Sequence, residues 1–260
     1  MRAMRDLGVD GSRPAIAHAS LSSFGRVHGG AQAVVGALLE HFHTVIMPTF
    51  TYKTMIVPET GPANNAAEYG ARGDGNRMAD FYTPDMPADR LMGTVPETLR
   101  QHRQARRSMH PVLSFSGVNA EEALKIQTLN APLASIAAVM EENGWVVLLG
   151  VRHIPNTSIH LGERLAGRKT FTRWALTPDG IVECPGFPSC SDGFEAIAPR
   201  VKHITRETAV GNALVRVLPL RDLVEITRQL VTADPLALLC DRPGCGRCEA
   251  VKKQVVEKVK

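Results

Sequence analysis

A histidine and a glutamate three residues apart form the pattern with the clearest chemical meaning in this chain. They lie in LLGVRHIPNTSIHLGE, residues 148–163, where an apolar run leads through a Pro/Asn loop into a short helix. Residues at this spacing share one helix face, so His160 and Glu163 are neighbours near its start. Imidazole titrates near neutral pH and suits general-base catalysis. The pattern predicts a catalytic base at His160, with a packed structural histidine as the alternative.

A second pattern places small hydroxyl residues after a strand and a Gly–Gly pair at a helix start. In HASLSSFGRVHGGA, residues 18–31, Ser20 and Ser22 precede Gly29 and Gly30. Backbone N–H groups at such a helix start can hold a phosphate or pyrophosphate. The spacing fits neither the Walker P-loop nor the dinucleotide GxGxxG pattern. An ordinary capped helix is the alternative interpretation.

A third candidate is His110 in RRSMHPVLSFSG, residues 106–117. Pro111 restricts the residue before it to extended backbone, and the next segment predicts a strand that carries Ser114. In isolation, a loop histidine hydrogen-bonded to the backbone is the simpler interpretation.

The five cysteines are the last chemically reactive group. Cys245 and Cys248 have the CxxC spacing of a zinc knuckle. Cys240, together with Cys184 or Cys190 as a fourth ligand, would complete a small structural site. A second CxxC pair is missing, so we interpret the cysteines as reduced thiols and expect no metal, with zinc on Cys240, Cys245 and Cys248 as the alternative.

Alternating strands and helices must position these residues. Apolar segments predict strands at 14–18, 44–47, 112–116 and 145–151. Helical periodicity predicts helices at 31–41, 92–103, 120–128, 135–143, 157–165 and 220–230. Residues 53–92 are rich in Gly, Pro, Asn and Asp and predict a long functional loop. The order indicates an α/β protein with one domain over residues 1–260 and a Cys-containing helical segment at about 235–260.

Composition excludes several classes of protein. Of the 260 residues, 44% are hydrophobic and 22% are charged, as in a soluble globular protein rather than a disordered or fibrous one. No apolar run is long enough for a transmembrane helix. The net charge of +4 comes from scattered Lys and Arg without a nucleic-acid-binding motif, so we expect no nucleic-acid partner. Without a secretory signal pattern, we expect a cytoplasmic protein in a reducing compartment.

Five segments, taken together and in order, resemble the aminoglycoside 3-N-acetyltransferase (antibiotic N-acetyltransferase) family. They are HASLSSFGRVHGGA at 18–31, MPTFT at 47–51, MGTVPETLR at 92–100, RSMHPVLSF at 107–115 and LLGVRHIPNTSIHL at 148–161. The resemblance implies a layered α-β-α fold around a central mixed sheet, unlike that of the GNAT acetyltransferases. It also implies a transferase that confers antibiotic resistance by moving acetyl from acetyl-CoA to an amine of an aminoglycoside, the 3-amino group.

The resemblance also assigns roles to residues. It implies that the first loop holds the CoA pyrophosphate and pantetheine through Ser20, Leu21, Ser22, Gly29, Gly30 and Ala31. His110 and Ser114 are expected to line the cofactor side, and His160 is expected to be the catalytic base.

A base of this kind needs a carboxylate that accepts its other ring N–H, orients the imidazole and stabilises the imidazolium. Glu183 is the predicted partner of His160. Residues 182–187 depart from the acidic pattern of the family at this place, so Asp192 is the reserve candidate.

An aminoglycoside is a polycation and favours an acidic cleft. The predicted substrate-binding carboxylates are Glu163, Glu97 and Asp192, with Asp80, Asp85 and Asp89 as further candidates. The loop at 53–92 is expected to cover the acceptor side. The alternatives are acetylation of a different small-molecule amine and a catalytically inactive CoA-binding relative. The oligomeric state is left open, with a homodimer among the states considered.

Overall fold

Strands and helices alternate along most of the chain. The structure, a computed structural model, describes residues 2–70 and 74–259. The strands are β1 (Ala15–Ala19), β2 (Val45–Pro48), β3 (Met55–Ile56), β4 (Ala105–Arg107), β5 (Phe115–Val118), β6 (Trp145–Leu149), β7 (Phe171–Thr177), β8 (Gly180–Phe187), β9 (Arg206–Val210) and β10 (Ala213–Pro219). The α-helices are α1 (Arg2–Asp6), α2 (Gly30–His41), α3 (Thr94–Arg100), α4 (Glu121–Lys125), α5 (Ala134–Glu141), α6 (Ser158–Leu165), α7 (Ala198–Val201), α8 (Leu220–Ala233) and α9 (Gly246–Val259).

In the described part of the chain, seven strands form one mixed sheet with the order β4-β5-β2-β1-β6-β10-β9. Its centre is parallel, because β1 pairs in parallel with both β2 and β6. The outer strands β4, β5, β10 and β9 pair antiparallel. The carboxyl ends of β2, β1 and β6 therefore meet at one edge of the sheet, which is where open α/β sheets place their ligands.

Alternate residues of the central strands point to two separate cores. In β1, Ile16 belongs to one core, and Ala15 and Ala17 belong to the other. Along β6 the same alternation sends Val146 to the first core and Val147 to the second. Both faces of the sheet are thus covered, which explains why these strands are apolar without interruption.

Helices form a layer on each face of the sheet. The first core receives apolar residues of α4, α5, α6 and α8, and the second receives residues of α1, α2 and α3. This α-β-α arrangement around a mixed sheet confirms the predicted fold class.

A small antiparallel sheet with the order β3-β7-β8 contributes buried residues of β7 and β8 to the first core. The predicted loop at 53–92 contacts this small sheet. The Asn65 side chain makes two hydrogen bonds with the backbone of Thr172 in β7, at 2.8 and 3.0 Å. Tyr69 also packs edge-on against Trp174, with ring centroids 5.9 Å apart. The middle of the loop is therefore attached to the small sheet, and residues 71–73 lie outside the described part.

The strand predicted at 112–116 begins later than expected. Residues 111–113 form a turn, and β5 begins at Phe115. His110 explains the shift, because its Nδ1 accepts the backbone N–H groups of Val112 and Leu113 at 3.1 and 3.0 Å. Those two donors are then unavailable to a sheet ladder, and the strand starts only after them.

None of the helices in the described part of the chain combines the length and the apolar character that a bilayer crossing requires.

Candidate active site

A cleft of about 850 Å³ opens at the edge where the parallel strands end. Its lining includes residues that follow β1, β2 and β6. They are Ser20 to Ser22, Phe50 and Tyr52, and Val151, Ile154, Pro155 and Thr157. Further lining residues are Phe187 at the end of β8, Pro188, Ser189, Ser191 and Asp192 after it, and Arg247 on α9. The sheet thus presents several loops to one space, as an enzyme of this architecture requires.

His160 projects into this cleft from the first turns of α6. Its Nδ1 lies 2.8 Å from Oε2 of Glu163, one helical turn further along. An ionised carboxylate only accepts hydrogen bonds, so this contact requires the proton to be on Nδ1. In the neutral imidazole Nε2 is then the unprotonated nitrogen, which can act as a base toward the cleft.

Glu163 is itself held from three sides. Its side chain is 2% exposed. The Ser189 hydroxyl donates to Oε2 at 2.7 Å, and the Arg168 guanidinium lies 3.3 Å from Oε1. Burial lowers the pKa of Arg168, with the charge of Glu163 acting in the opposite direction. These neighbours fix the carboxylate, and the Phe194 ring packs edge-on against the imidazole with centroids 4.6 Å apart.

The predicted pairing of Glu183 with His160 is wrong as a contact. Glu183 is exposed on the small sheet, where its Oε1 accepts the Trp174 indole N–H at 3.3 Å. The reserve candidate Asp192 lies on the cleft wall but pairs with Arg242 at 3.0 Å. The carboxylate that contacts the imidazole is Glu163, which the sequence analysis assigned to substrate binding.

Only the first half of the predicted cofactor loop lines the cleft. Ser20, Leu21 and Ser22 line the cleft, and Ser20 Oγ accepts a hydrogen bond from the Ser23 hydroxyl at 2.9 Å. Gly29 and Gly30 have positive φ angles of 81° and 57° at the start of α2, and Ala31 is buried in its first turn. These last three residues lie outside the cleft lining.

His110 and Ser114, which are predicted to lie beside the cofactor, are outside the cleft lining. His110 is buried, and its ring closes the turn described above. The Ser114 hydroxyl donates to the Thr49 carbonyl at 2.9 Å and accepts from Arg107 Nε at 3.0 Å. Both side chains stabilise the junction of β2 and β5, which is the backbone-bonded alternative for His110.

The buried imidazole of His110 makes the fold acid-sensitive. Burial lowers its pKa to about 4, from 6.5. The unfolded chain therefore binds a proton that the folded chain does not, and stability is lost as the pH falls from 6.5 toward 4.

His110→Asn keeps an acceptor for the Val112 and Leu113 N–H groups but cannot titrate. We expect its unfolding free energy, measured by urea titration at several pH values, to fall less steeply, by about 1.4 kcal/mol per pH unit. Equal slopes in the two proteins would contradict this account.

The predicted acidic residues do not gather around the cleft. Both oxygens of Glu97 bind the guanidinium of Arg100, at 2.7 and 2.9 Å, and Oε2 also accepts the Ala88 N–H. Asp80 lies 3.9 Å from Lys53, and Asp89 caps the turn at Leu91. In the part of the chain that the structure describes, Asp192 is the only carboxylate lining the cleft. The expected acidic cluster is therefore wrong, and Glu97 stabilises α3 instead.

Several cleft residues have no role in the sequence-based prediction, and His18 and Arg247 are two of them. His18 ends the buried segment of β1, and burial lowers its pKa to about 3, so it presents a neutral ring. Arg247 reaches the cleft from α9 and donates to the carbonyls of Pro188 and Ser189 at 3.3 and 3.0 Å. His18 carried a signal, because it directly precedes the hydroxyl loop. Arg247 carried none beyond its position inside the CxxC pair.

Comparison with known proteins identifies the family of this chain. A family model described as aminoglycoside 3-N-acetyltransferase matches residues 16–232. Aminoglycoside N(3)-acetyltransferase III of Salmonella sp is 29% identical over 252 residues, which cover 85% of this chain and 86% of the relative. The SPbeta prophage-derived aminoglycoside N(3')-acetyltransferase-like protein YokD of Bacillus subtilis (strain 168) is 29% identical over 183 residues. That alignment covers 66% of each chain, just under two thirds of the relative's length.

The solved structures agree at the level of the fold. The crystal structure of the aminoglycoside acetyltransferase AAC(3)-IVa apoenzyme superposes with a TM-score of 0.77 at 24% identity, covering 97% of this chain and 94% of that one. Since the family model spans most of the chain, from β1 to the end of α8, the predicted resemblance is confirmed, and the chain belongs to the aminoglycoside 3-N-acetyltransferase family.

Proposed function

We propose that this protein transfers the acetyl group of acetyl-CoA to an amine of an aminoglycoside, the 3-amino group, by direct transfer. The observation that carries the proposal is the His160–Glu163 pair at the cleft, 2.8 Å apart and backed by Ser189 and Arg168. A histidine held by a buried carboxylate is the arrangement that general-base catalysis of acyl transfer needs.

The chemistry follows from the two ring nitrogens of His160. Acetyl-CoA, when bound, supplies the thioester carbonyl that the amine attacks. Nε2 of His160 takes the proton that the amine must lose as the new C–N bond forms. Nδ1 keeps its hydrogen bond to Glu163, whose negative charge stabilises the imidazolium. The same imidazolium is placed to return a proton to the leaving thiolate.

The cofactor side of the cleft fits a large anionic thioester. Ser20 to Ser22 precede and begin a 3₁₀ turn whose first backbone N–H groups lack partners within the turn. Beyond it, the N-terminus of α2 carries no acidic residue in its first turn, and a Cβ added to Gly30 would meet nothing within 4 Å. We propose that Ser20, Leu21, Ser22, Gly29, Gly30 and Ala31 hold the pantetheine and pyrophosphate between these two points.

Replacing Gly30 with leucine is expected to weaken acetyl-CoA binding by at least about tenfold, because the side chain would occupy the open approach to α2. The new side chain also strains the backbone at φ 57°. Gly8→Leu is the matched control, since Gly8 has φ 61° and lies outside the cleft lining. Calorimetry measures the acetyl-CoA affinity of both variants. Equal affinities would mean that the N-terminus of α2 is not part of the cofactor site.

A second candidate function is acetylation of a different small-molecule amine. It is favoured by the single cleft carboxylate, Asp192, which Arg242 already partly neutralises. A polycationic acceptor gains little long-range attraction from such a cleft. We therefore expect turnover to depend only weakly on salt, in contrast to the steep decrease that clustered carboxylates would cause.

One assay distinguishes these functions. Thiol release from acetyl-CoA is followed with a panel of amines that contains a multi-amine aminoglycoside, a simple diamine and an amino sugar. Turnover on the aminoglycoside, with mass and NMR analysis placing the acetyl group on the 3-amino nitrogen, supports the first function. Turnover on a simple amine alone supports the second. Cofactor binding without turnover on any amine identifies a catalytically inactive relative.

A further inference from the structure

Four of the five cysteines meet in one buried cluster outside the cleft. The Sγ atoms of Cys190, Cys240, Cys245 and Cys248 all lie within 4.8 Å of one another. Each of these residues is at most 6% exposed. Cys184 is not part of the cluster, because it is buried in the first core within β8. The sequence leaves open whether Cys184 or Cys190 is the fourth cysteine of the group, and in the structure it is Cys190.

The sulfur–sulfur distances match those around a tetrahedral metal ion. Cys240 Sγ lies 3.5 Å from Cys248 Sγ and 3.8 Å from Cys190 Sγ. Zinc–sulfur bonds of about 2.3 Å place the corners of a tetrahedron about 3.8 Å apart. A disulfide would need about 2.05 Å, and all five cysteines are free thiols. Four buried sulfurs at this spacing form a closed set of ligands with no place for a substrate.

The surroundings of the cluster suit thiolates. The backbone N–H of Asp192 donates to Cys190 Sγ at 3.5 Å, and the Arg242 guanidinium donates to Cys245 Sγ at 3.7 Å. Four thiolates around a divalent ion leave two negative charges, which such donors stabilise. Cys245 and Cys248 lie at the start of α9, so the helix dipole acts in the same direction.

We propose that Cys190, Cys240, Cys245 and Cys248 bind one Zn²⁺ ion as a structural site. The ion would join the segment after β8 to the start of α9, two parts of the chain that are about fifty residues apart. Both segments contribute to the cleft wall, through Ser189 and Asp192 on one side and Arg247 on the other. Ser189 is also the residue that donates to Glu163. The site therefore holds the cleft wall beside the catalytic pair.

Metal analysis of the purified full chain tests the proposal. After expression in zinc-supplemented medium and purification in a reducing buffer without chelator, we expect about one zinc per chain by mass spectrometry of the metal. The double variant Cys245→Ser/Cys248→Ser should contain almost none. Cys184→Ser is the matched control, since it removes a buried thiol outside the cluster, and it should keep its zinc.

A second measurement uses the unaltered protein, so it does not depend on whether the variants fold. Cysteine alkylation mapped by peptide mass spectrometry should leave the four cluster cysteines unmodified in the metal-loaded protein. A strong chelator should expose these four together and release zinc in the same proportion. Reconstitution with Co²⁺ should then give the absorption of a tetrahedral tetrathiolate site.

Three results would overturn the proposal. They are a zinc-free protein whose four thiols react without chelator, disulfides among these cysteines in the freshly purified protein, and bound iron in place of zinc. Because none of these readouts involves acetyl transfer, failure of the zinc site and failure of the proposed acetyltransferase activity are distinguishable.

Discussion

Replacing His160 with alanine is expected to lower kcat for acetyl transfer by about 10²–10⁴-fold, the usual contribution of a positioned general base. The reason is that Nε2 is the nitrogen that remains free while Nδ1 is committed to Glu163. The affinity for acetyl-CoA, measured by calorimetry, should change little, because the proposed cofactor contacts come from the 20–31 loop.

The control for this prediction is His43→Ala, which removes an exposed histidine just after α2 and outside the cleft lining. It should leave kcat unchanged. His160 also packs against Phe194, so the thermal unfolding of the His160 variant must be measured beside its kinetics. A folded His160→Ala protein with normal kcat would make this histidine a structural residue.

Helical spacing alone predicted the contact at the centre of the site. Three residues of separation placed His160 and Glu163 on one face, and the structure brings Nδ1 and Oε2 to 2.8 Å. The sequence nevertheless favours Glu183 as the carboxylate partner of His160. That choice failed for a physical reason. In β8 the side chains alternate between the two faces, so Cys184 is buried and Glu183 is exposed.

The cysteine cluster shows what sequence spacing cannot decide. Cys184 and Cys190 are six residues apart, and either satisfied the requirement for a fourth ligand. The strand β8 settles the choice, since it ends at Phe187 and fixes Cys184 in the core. Cys190 lies beyond the strand, where the chain turns toward the start of α9. The contact between Cys190 and the cysteines near α9 depends on the path of the chain and not on local sequence.

Acidity of the cleft was the least predictable property. Asp80, Asp85, Asp89 and Glu97 are among the carboxylates that the sequence offers for an acidic cleft. In the structure Arg100 neutralises Glu97 within the same helix, and Asp89 accepts the nearby Leu91 N–H. Asp80 lies 3.9 Å from Lys53 on the exposed surface. An i, i+3 pair satisfies both charges without any tertiary requirement. Charges that can pair locally are therefore poor guides to a distant substrate.

Replacing Glu163 with glutamine is the second change for which we expect a large effect, a fall in kcat of about 10²–10⁴-fold without a matching rise in KM for acetyl-CoA. Glutamine preserves the size of the side chain, but it carries one oxygen and one NH₂ group. If the NH₂ group faces His160, it must donate to Nδ1, and the proton then moves to Nε2, where a base is required. If the oxygen faces His160, the NH₂ group faces Arg168, and two donors oppose each other in a buried space.

Glu183→Gln is the matched control for this last change. It makes the same substitution on the small sheet, where the side chain is exposed and bonds to Trp174, and it should leave kcat unchanged. Glu163→Gln also removes the negative charge that pairs with the buried Arg168 guanidinium. Its melting temperature should therefore fall, since breaking a buried ion pair costs about 3–5 kcal/mol. Kinetics must therefore be measured well below that melting temperature. Should Glu183→Gln lose activity while a folded Glu163→Gln keeps it, the carboxylate that supports His160 during the reaction would be Glu183, and the contact seen here would belong to the resting protein alone.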